Sequence, residues 1–337
     1  MSCRRLKWIV AVLPLALLMT AAHAEQDAAK ATKANASANE YPRKPIRIII
    51  GFTPGGGPDI TARYLAQKLT ESWKQQVIVD NRPGAGGTVG ANLAATANPD
   101  GYTLLSVSSA HAVSPAIYAK LPYDTTKDLS GITQTAVSKY LLVAAPALGA
   151  KTLKDFLAAA KAKPGQLNFS SAGVGSGSHF AAEQFKAAAA INIMHVPFKG
   201  IPEALTETIS GRVQLFMSPI ANALNMVKEG RVVGLGVSSS QRDALLPDMP
   251  TLAEAGVPGF RADLWFGVLT SAQVPKAIVN KLNAEIRRIL GDAEVKQRWQ
   301  AIGLEPKPTT PGEFDKIVMD EVANFTKIAR AANIKAE

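Results

Sequence analysis

Ile46-Arg47-Ile48-Ile49-Ile50-Gly51-Phe52-Thr53-Pro54-Gly55-Gly56-Gly57-Pro58-Asp59 is the stretch on which the fold turns. A β-branched run predicts a strand over 46–52. Three glycines and a proline then break it, and apolar residues at Ile60, Tyr64, Leu65 and Leu69 predict a helix over Asp59–Ser72. Glycines let backbone N–H groups turn inward with no Cβ in the way, and a proline suits the first turn of a helix. With the positive end of the helix dipole this makes an anion site from neutral groups. Taken alone, the same loop is equally a tight strand-to-helix turn.

Outward from this point the pattern repeats. Val77–Val79 reads as a strand, Arg82–Gly87 as a loop, Val89–Ala97 as a helix and Tyr102–Val107 as a strand. That order is β-loop-α-β-loop-α-β, which predicts a parallel sheet with crossover helices. After a short apolar run at Tyr140–Ala145 the pattern restarts: helix Thr152–Ala162, strand Leu167–Ser170, loop Ala172–Ser178, helix Phe180–Ala190. Strands follow at Met194–Pro197, Val213–Met217, Val232–Val237 and Leu264–Leu269, and long helices at Pro275–Leu290 and Pro311–Arg330. The second unit has its own loop, Ser170-Ser171-Ala172-Gly173-Val174-Gly175-Ser176-Gly177-Ser178-His179, rich in hydroxyls that donate and accept. Ligands of open α/β sheets sit at the carboxyl ends of strands, so two such loops facing each other would form a clamp.

The leader sets the compartment. Met1–Lys7 carries Arg4, Arg5 and Lys7, Trp8–Met19 is apolar, and Thr20-Ala21-Ala22-His23-Ala24 ends in a cleavage pattern of small residues. Residues 1–24 therefore read as a signal peptide for a periplasmic product, and residues 25–40, without periodicity, as a disordered leader. The only cysteine, Cys3, leaves with the signal, which excludes disulfides, a thiolate nucleophile and a cysteine metal site from the mature chain. Beyond the leader the histidines are His111, His179 and His195, too few for a His-rich metal centre. The 337-residue chain is 47% hydrophobic, 19% charged and formally +10, with its basic residues scattered rather than in runs, so neither disorder nor nucleic acid is expected. No stretch after the leader is long and apolar enough to predict a transmembrane helix.

Other motifs are weaker. Asn81–Gly90 fails as G-x-G-x-x-G and reads as a helix-entry loop under the first site. Ser176 or Ser178 with His179 could serve a hydrolase, but the nucleophile elbow is missing and no carboxylate is placed to orient the histidine. His179 is read as capping or packing, His195 as structural, and Phe198, Trp265 and Phe266 as core or cleft wall.

Several motifs occur together in order: Tyr41-Pro-x-Lys-Pro-Ile46, Phe52-x-Pro-Gly-Gly-x-x-Asp59, Val79-Asp-Asn-Arg-Pro-Gly-Ala-Gly-Gly87, Pro99-Asp-Gly-Tyr-Thr-Leu104, Leu121-Pro-Tyr-Asp124, Lys163-Pro-Gly-Gln-Leu167, His195-Val-Pro-Phe-Lys-Gly200, Pro250-Thr-x-x-Glu-Ala-Gly256 and Trp265-Phe-Gly267. From about Tyr41 onward the chain resembles the Bug-type substrate-binding proteins of tripartite tricarboxylate transporters. The resemblance implies a periplasmic-binding-protein fold of two α/β lobes, each a mainly parallel sheet flanked by helices, with lobe 1 over 41–142 plus 264–337 and lobe 2 over 143–263. It implies capture of a small organic carboxylate and delivery to a membrane permease, with no catalysis, cofactor or metal, by a monomer. The family's gripping positions carry over to Phe52, Pro54, Gly55, Gly56 and Asp59 on one lobe. On the other they are Ser171, Ala172, Gly173, Gly175, Ser176 and His179, with Ser108-Ser109-Ala110 as a third contact. The chain departs from the family at Ser218-Pro219, where an acidic or amide residue is common, and Ser218 is expected to face the ligand's far end. The rival functions are a periplasmic sensor feeding a receptor and a Ser/His hydrolase.

Overall fold

The computed structural model describes residues 40–331, 334 and 335. The expected signal peptide and all of the expected leader except Glu40 lie outside the described residues.

Strand β1 (Ile46–Ile50) runs through the loop into α1 (Gly57–Trp73), and β2 (Val77–Asn81), α2 (Thr88–Ala95), β3 (Thr103–Ser108) and α3 (Ala110–Ile117) follow. A single long strand, β4 (Leu129–Ala144), then leads into α4 (Leu153–Ala162), β5 (Asn168–Ser171), α5 (Gly177–Ala188), β6 (Met194–Pro197), α6 (Ile201–Ile209), β7 (Leu215–Pro219), α7 (Ile220–Lys228) and β8 (Val233–Val237). The chain returns through β9 (Asp263–Ser271) and closes with α8 (Lys276–Gly291), α9 (Ala293–Gln300), β10 (Glu305–Pro306) and α10 (Pro311–Ala331).

The strands line up in the order β2-β1-β3-β9-β4-β7-β5-β6, with β8 and β10 also on β4. β1 is parallel to β2 and β3, and β5 is parallel to β6 and β7, as βαβ crossovers demand. The long strand and its return partner make the sheet mixed: β9 is antiparallel to both β3 and β4, and β4 is antiparallel to β7 and β8.

The exchange of partners along β4 separates the two lobes. Its first part pairs β9 as far as Lys139 opposite Asp263, and from Tyr140 it pairs β7, opposite Pro219. Ser238 stitches the two crossing chains there: its Oγ donates to Ala262 O at 2.7 Å and accepts from Tyr140 N at 2.9 Å. Few backbone positions cross between the lobes, which is the anatomy of a hinge.

Candidate functional site

The cleft at this junction is narrow, with room of about 40 Å³ for water-sized groups. Four helices begin on it. Gly56, Gly57 and Pro58 open α1, Ser176, Gly177 and Ser178 open α5, Ile201 is the first residue of α6, and Pro219 caps α7. First-turn N–H groups have no partner inside their own helix, and dipole ends add positive potential. The cleft lining includes no Lys, Arg, Asp or Glu. Such a site favours an anion through neutral donors and offers a cation no counter-charge.

Local chemistry fixes the α1 loop. Gly55 has φ +91°, a conformation that favours glycine. Asp59 is buried, and its Oδ2 accepts from Gly55 N at 3.0 Å and Arg63 Nε at 2.9 Å. Its Oδ1 accepts from Arg63 Nη2 and Asn81 Nδ2, both at 3.0 Å, while Asn81 Nδ2 also reaches Phe52 O at 3.1 Å. Burial alone would raise this carboxyl, but the bonds from Arg63, Gly55 and Asn81 outweigh it and hold Asp59 below its ordinary range. A Cβ on Gly57 would collide with the Phe266 ring of β9.

The α5 loop is built on the same plan. Ser176 caps the helix, accepting from His179 N at 3.3 Å, and its hydroxyl meets that of Ser178 at 3.1 Å. Ser178 Oγ accepts from Ala172 N at 3.0 Å. Gly173 and Gly175 have φ of +114° and +80°. A Cβ on Gly177 would collide with the Tyr140 hydroxyl and meet Ser109 Oγ at 3.2 Å. Each helix start is thus seated, through a glycine, on an aromatic ring of a crossing strand.

His179 lies behind this loop. Its Nδ1 accepts from Gly175 N at 3.2 Å, and its ring stacks on His195 at 3.9 Å. His195 Nε2 meets Ser171 Oγ at 2.6 Å. Burial, then His195 and Lys186, pull the His179 pKa down to about 3, and burial and Lys186 pull that of His195 down to about 4. His179 is therefore neutral, with Nδ1 engaged, while Ser176 bonds to its backbone rather than its ring. The pair lacks the geometry of a nucleophile and its base.

Among the residues picked out from sequence, Phe52, Gly56, Ser108, Ala172 and Ser176 line the cleft. Pro54 and Gly55 shape its loop, and Gly55 O accepts from Asn222 Nδ2 at 2.7 Å. Asp59, Ser171 and His179 spend their polar atoms on the two loops. Ser109 and Ala110 are buried at the start of α3. Ser218 is fully buried, and its hydroxyl donates to Pro219 O at 3.1 Å; Pro219, not Ser218, forms the cleft wall. Sequence reasoning did not pick out Tyr140, Ile201 or Leu264, which come from strands and helices distant in the chain. For Tyr140 and Leu264 no local motif exists, because only the pairing of β4 with β7 and β9 brings them to the cleft.

Two α/β lobes joined by crossing strands, with a cleft ringed by helix N-termini at their junction, have the architecture of a solute-binding receptor. Residues 61–334 match the family described as tripartite tricarboxylate transporter family receptor. The chain belongs to that family. It is 34% identical over 303 residues to the protein BugT of Bordetella pertussis, covering 89% of this chain and 92% of BugT. The solved structure of R. palustris Rpa4515 with adipate superposes with a TM-score of 0.85 at 30% identity, over 88% of this chain and 99% of that one. MatC from Rhodopseudomonas palustris with bound malate gives 0.81 at 30% identity, over 86% and 99%.

Proposed function

We propose that this protein captures a small organic carboxylate in the periplasm and delivers it to the permease of a tripartite tricarboxylate-type transporter. The observation that carries this reading is the convergence of the α1 and α5 N-termini on a cleft with no charged lining. Two structural relatives hold the dicarboxylates adipate and malate, which supports a small carboxylate here. In this reading one carboxylate is gripped between Gly56–Gly57 and Ser176–Ser178, and the chain reaches the periplasm through cleavage of residues 1–24 and acts as a monomer. The moving units are 41–142 with 264–337, and 143–263. They close about the crossing strands, and a permease reads the closed form.

A ligand at about 100 times its dissociation constant stabilises the folded state by roughly 2.7 kcal/mol. A panel of mono- and dicarboxylates is expected to contain members that raise the melting temperature by a few degrees or more. Sugars and polyamines leave it unchanged. A sugar that raises it while the whole acid panel does nothing overturns the reading.

A further inference from the structure

Behind the α1 loop lies a second, small cavity that the carboxylate grip does not use, with room of about 20 Å³, enough for a single water-sized group. It shares Phe52 and Ser108 with the main cleft. The backbone of Gly51, Gly86 and Gly87 forms one side, and His111 and Tyr123 stand on the other. Both are 6% exposed. Their rings are parallel, with centroids 6.3 Å apart. Neither His111 Nε2 nor the Tyr123 hydroxyl has a hydrogen-bond partner. Ser106 donates to Pro58 O at 2.9 Å and Ser114 to Ala110 O at 3.4 Å, while the Thr125 hydroxyl, also buried beside Tyr123, is itself without a hydrogen bond. Folded proteins leave few buried polar atoms unpaired, and two lining one cavity beside a ligand cleft call for an occupant.

The chemistry of the pair limits that occupant. Burial draws the His111 pKa down to about 4, so the ring is neutral near pH 7. The free Nε2 of a neutral imidazole either donates or accepts, according to the tautomer, and a phenol hydroxyl does both. No cation lines the cavity to balance a second carboxylate. A hydroxyl, which donates and accepts, suits both groups at once.

We propose that this cavity is a specificity subsite, in which His111 and Tyr123 bind a hydroxyl that the ligand carries beyond its gripped carboxylate. The inference rests on the carboxylate reading of the main cleft. It makes the protein a receptor that prefers hydroxy acids to their plain counterparts.

Calorimetry on matched pairs tests it: succinate against malate, glutarate against 2-hydroxyglutarate, and adipate against 3-hydroxyadipate. The wild type is expected to prefer the hydroxy member of at least one pair by about fivefold or more. His111→Phe, which keeps a ring on Tyr123, is expected to bring that ratio near unity while the plain acid keeps its affinity. Tyr123→Phe removes one oxygen and no bulk, so it separates recognition from packing and is expected to shift the ratio the same way. Acids that bind with no hydroxy preference, or a ratio unmoved by both substitutions, overturn the subsite alone. Equal loss of both members of a pair points to an ordered water or packing role and also overturns it. A wild type that binds no acid of the panel overturns the carboxylate reading and the subsite with it.

Discussion

Gly55, Gly56 and Gly57 stand side by side, yet the fold makes different demands on them. Gly55 needs it for conformation: φ is +91°, its N–H is given to Asp59 and its carbonyl to Asn222. Left-handed backbone costs a residue with a side chain roughly 1–2 kcal/mol, and a Cβ there would press on Pro202 Cγ at 3.3 Å. Gly55→Ala is therefore expected to weaken ligand binding about tenfold while circular dichroism stays native, with calorimetry as the measure. Gly57 needs glycine for space, since a Cβ would enter the Phe266 ring. Gly56 is the freest of the three: φ is −79°, and a Cβ would meet Ile201 at an ordinary 3.8 Å. Gly56→Ala is expected to fold as wild type and to lose affinity only through crowding of the cleft. Ser218 shows how a residue can border a site without facing it. It lies in β7 opposite Leu141, with no exposed surface. A carboxylate placed there would be buried without a partner, at a cost of several kcal/mol. Ser218→Asp is expected to lower the urea midpoint sharply rather than to recruit ligands with an ammonium group.

Helices α1, α5, α6 and α7 explain how a site of single N–H groups becomes a clamp. Contacts run across it: Asn222 of α7 donates to Gly55 O at 2.7 Å, and Thr53 Oγ1 donates to Glu203 Oε2 of α6 at 3.3 Å. These bonds join helices α6 and α7 to the loop that opens α1, across the cleft. A hydrogen bond of this kind contributes about 0.5–1.5 kcal/mol. Asn222→Ala is expected to raise the ligand off-rate by about three- to tenfold with little change in on-rate, as stopped-flow fluorescence would record. Ser176→Ala removes both an N-cap and a cleft hydroxyl, so a loss of about 0.5–2 kcal/mol in stability should accompany weaker binding. At this scale much of the molecule is legible in sequence, because βαβ units announce themselves by period and by glycine. The strand Ile46–Ile50, the helix from Gly57 and the serine loop before α5 all follow from local pattern. Most of β4 does not. Residues 129–139 contain Ser130, Thr133, Gln134, Thr135 and Ser138, a polarity that hides a strand. Tertiary bonds make it one: Thr133 Oγ1 donates to Thr309 O at 2.9 Å, and Gln134 N donates to Thr309 Oγ1 at 3.0 Å. Helix α3 was hidden in the same way by Pro115 inside it. Without the rest of β4, Tyr140 looks in sequence like the start of a short apolar run rather than cleft floor.

Taken as a whole, the described fold holds every histidine beyond the leader in its neutral form, His111 and His179 buried and His195 half-buried, and this ties its stability to pH. His111 is drawn down to about 4 by burial. His179 is drawn to about 3 and His195 to about 4, again chiefly by burial. Unfolded, each titrates near 6.5. Between about 6.5 and 4 the unfolded chain therefore binds protons that the native chain refuses, and stability falls as pH falls through that window. Each histidine contributes up to about 1.4 kcal/mol per pH unit there, so the three together give a slope of about 4 kcal/mol per unit at its steepest. Asp59 acts later. Its folded pKa is depressed, so its contribution is present above the ordinary carboxylate range and is lost only as pH drops below it. Histidine linkage and carboxylate linkage are thereby separated by where acid destabilisation begins. Urea unfolding between pH 7.5 and 4.5 is expected to show stability declining from about pH 6.5, well before carboxylates protonate. His195→Gln keeps an acceptor for Ser171 but cannot titrate, so it should reduce the slope by about 1.4 kcal/mol per pH unit even if it lowers stability at pH 7. A curve flat from pH 7 to 5, or a His195→Gln slope equal to that of the wild type, would show that these imidazoles charge freely in the folded state and that the stacked pair behind the serine loop opens to solvent.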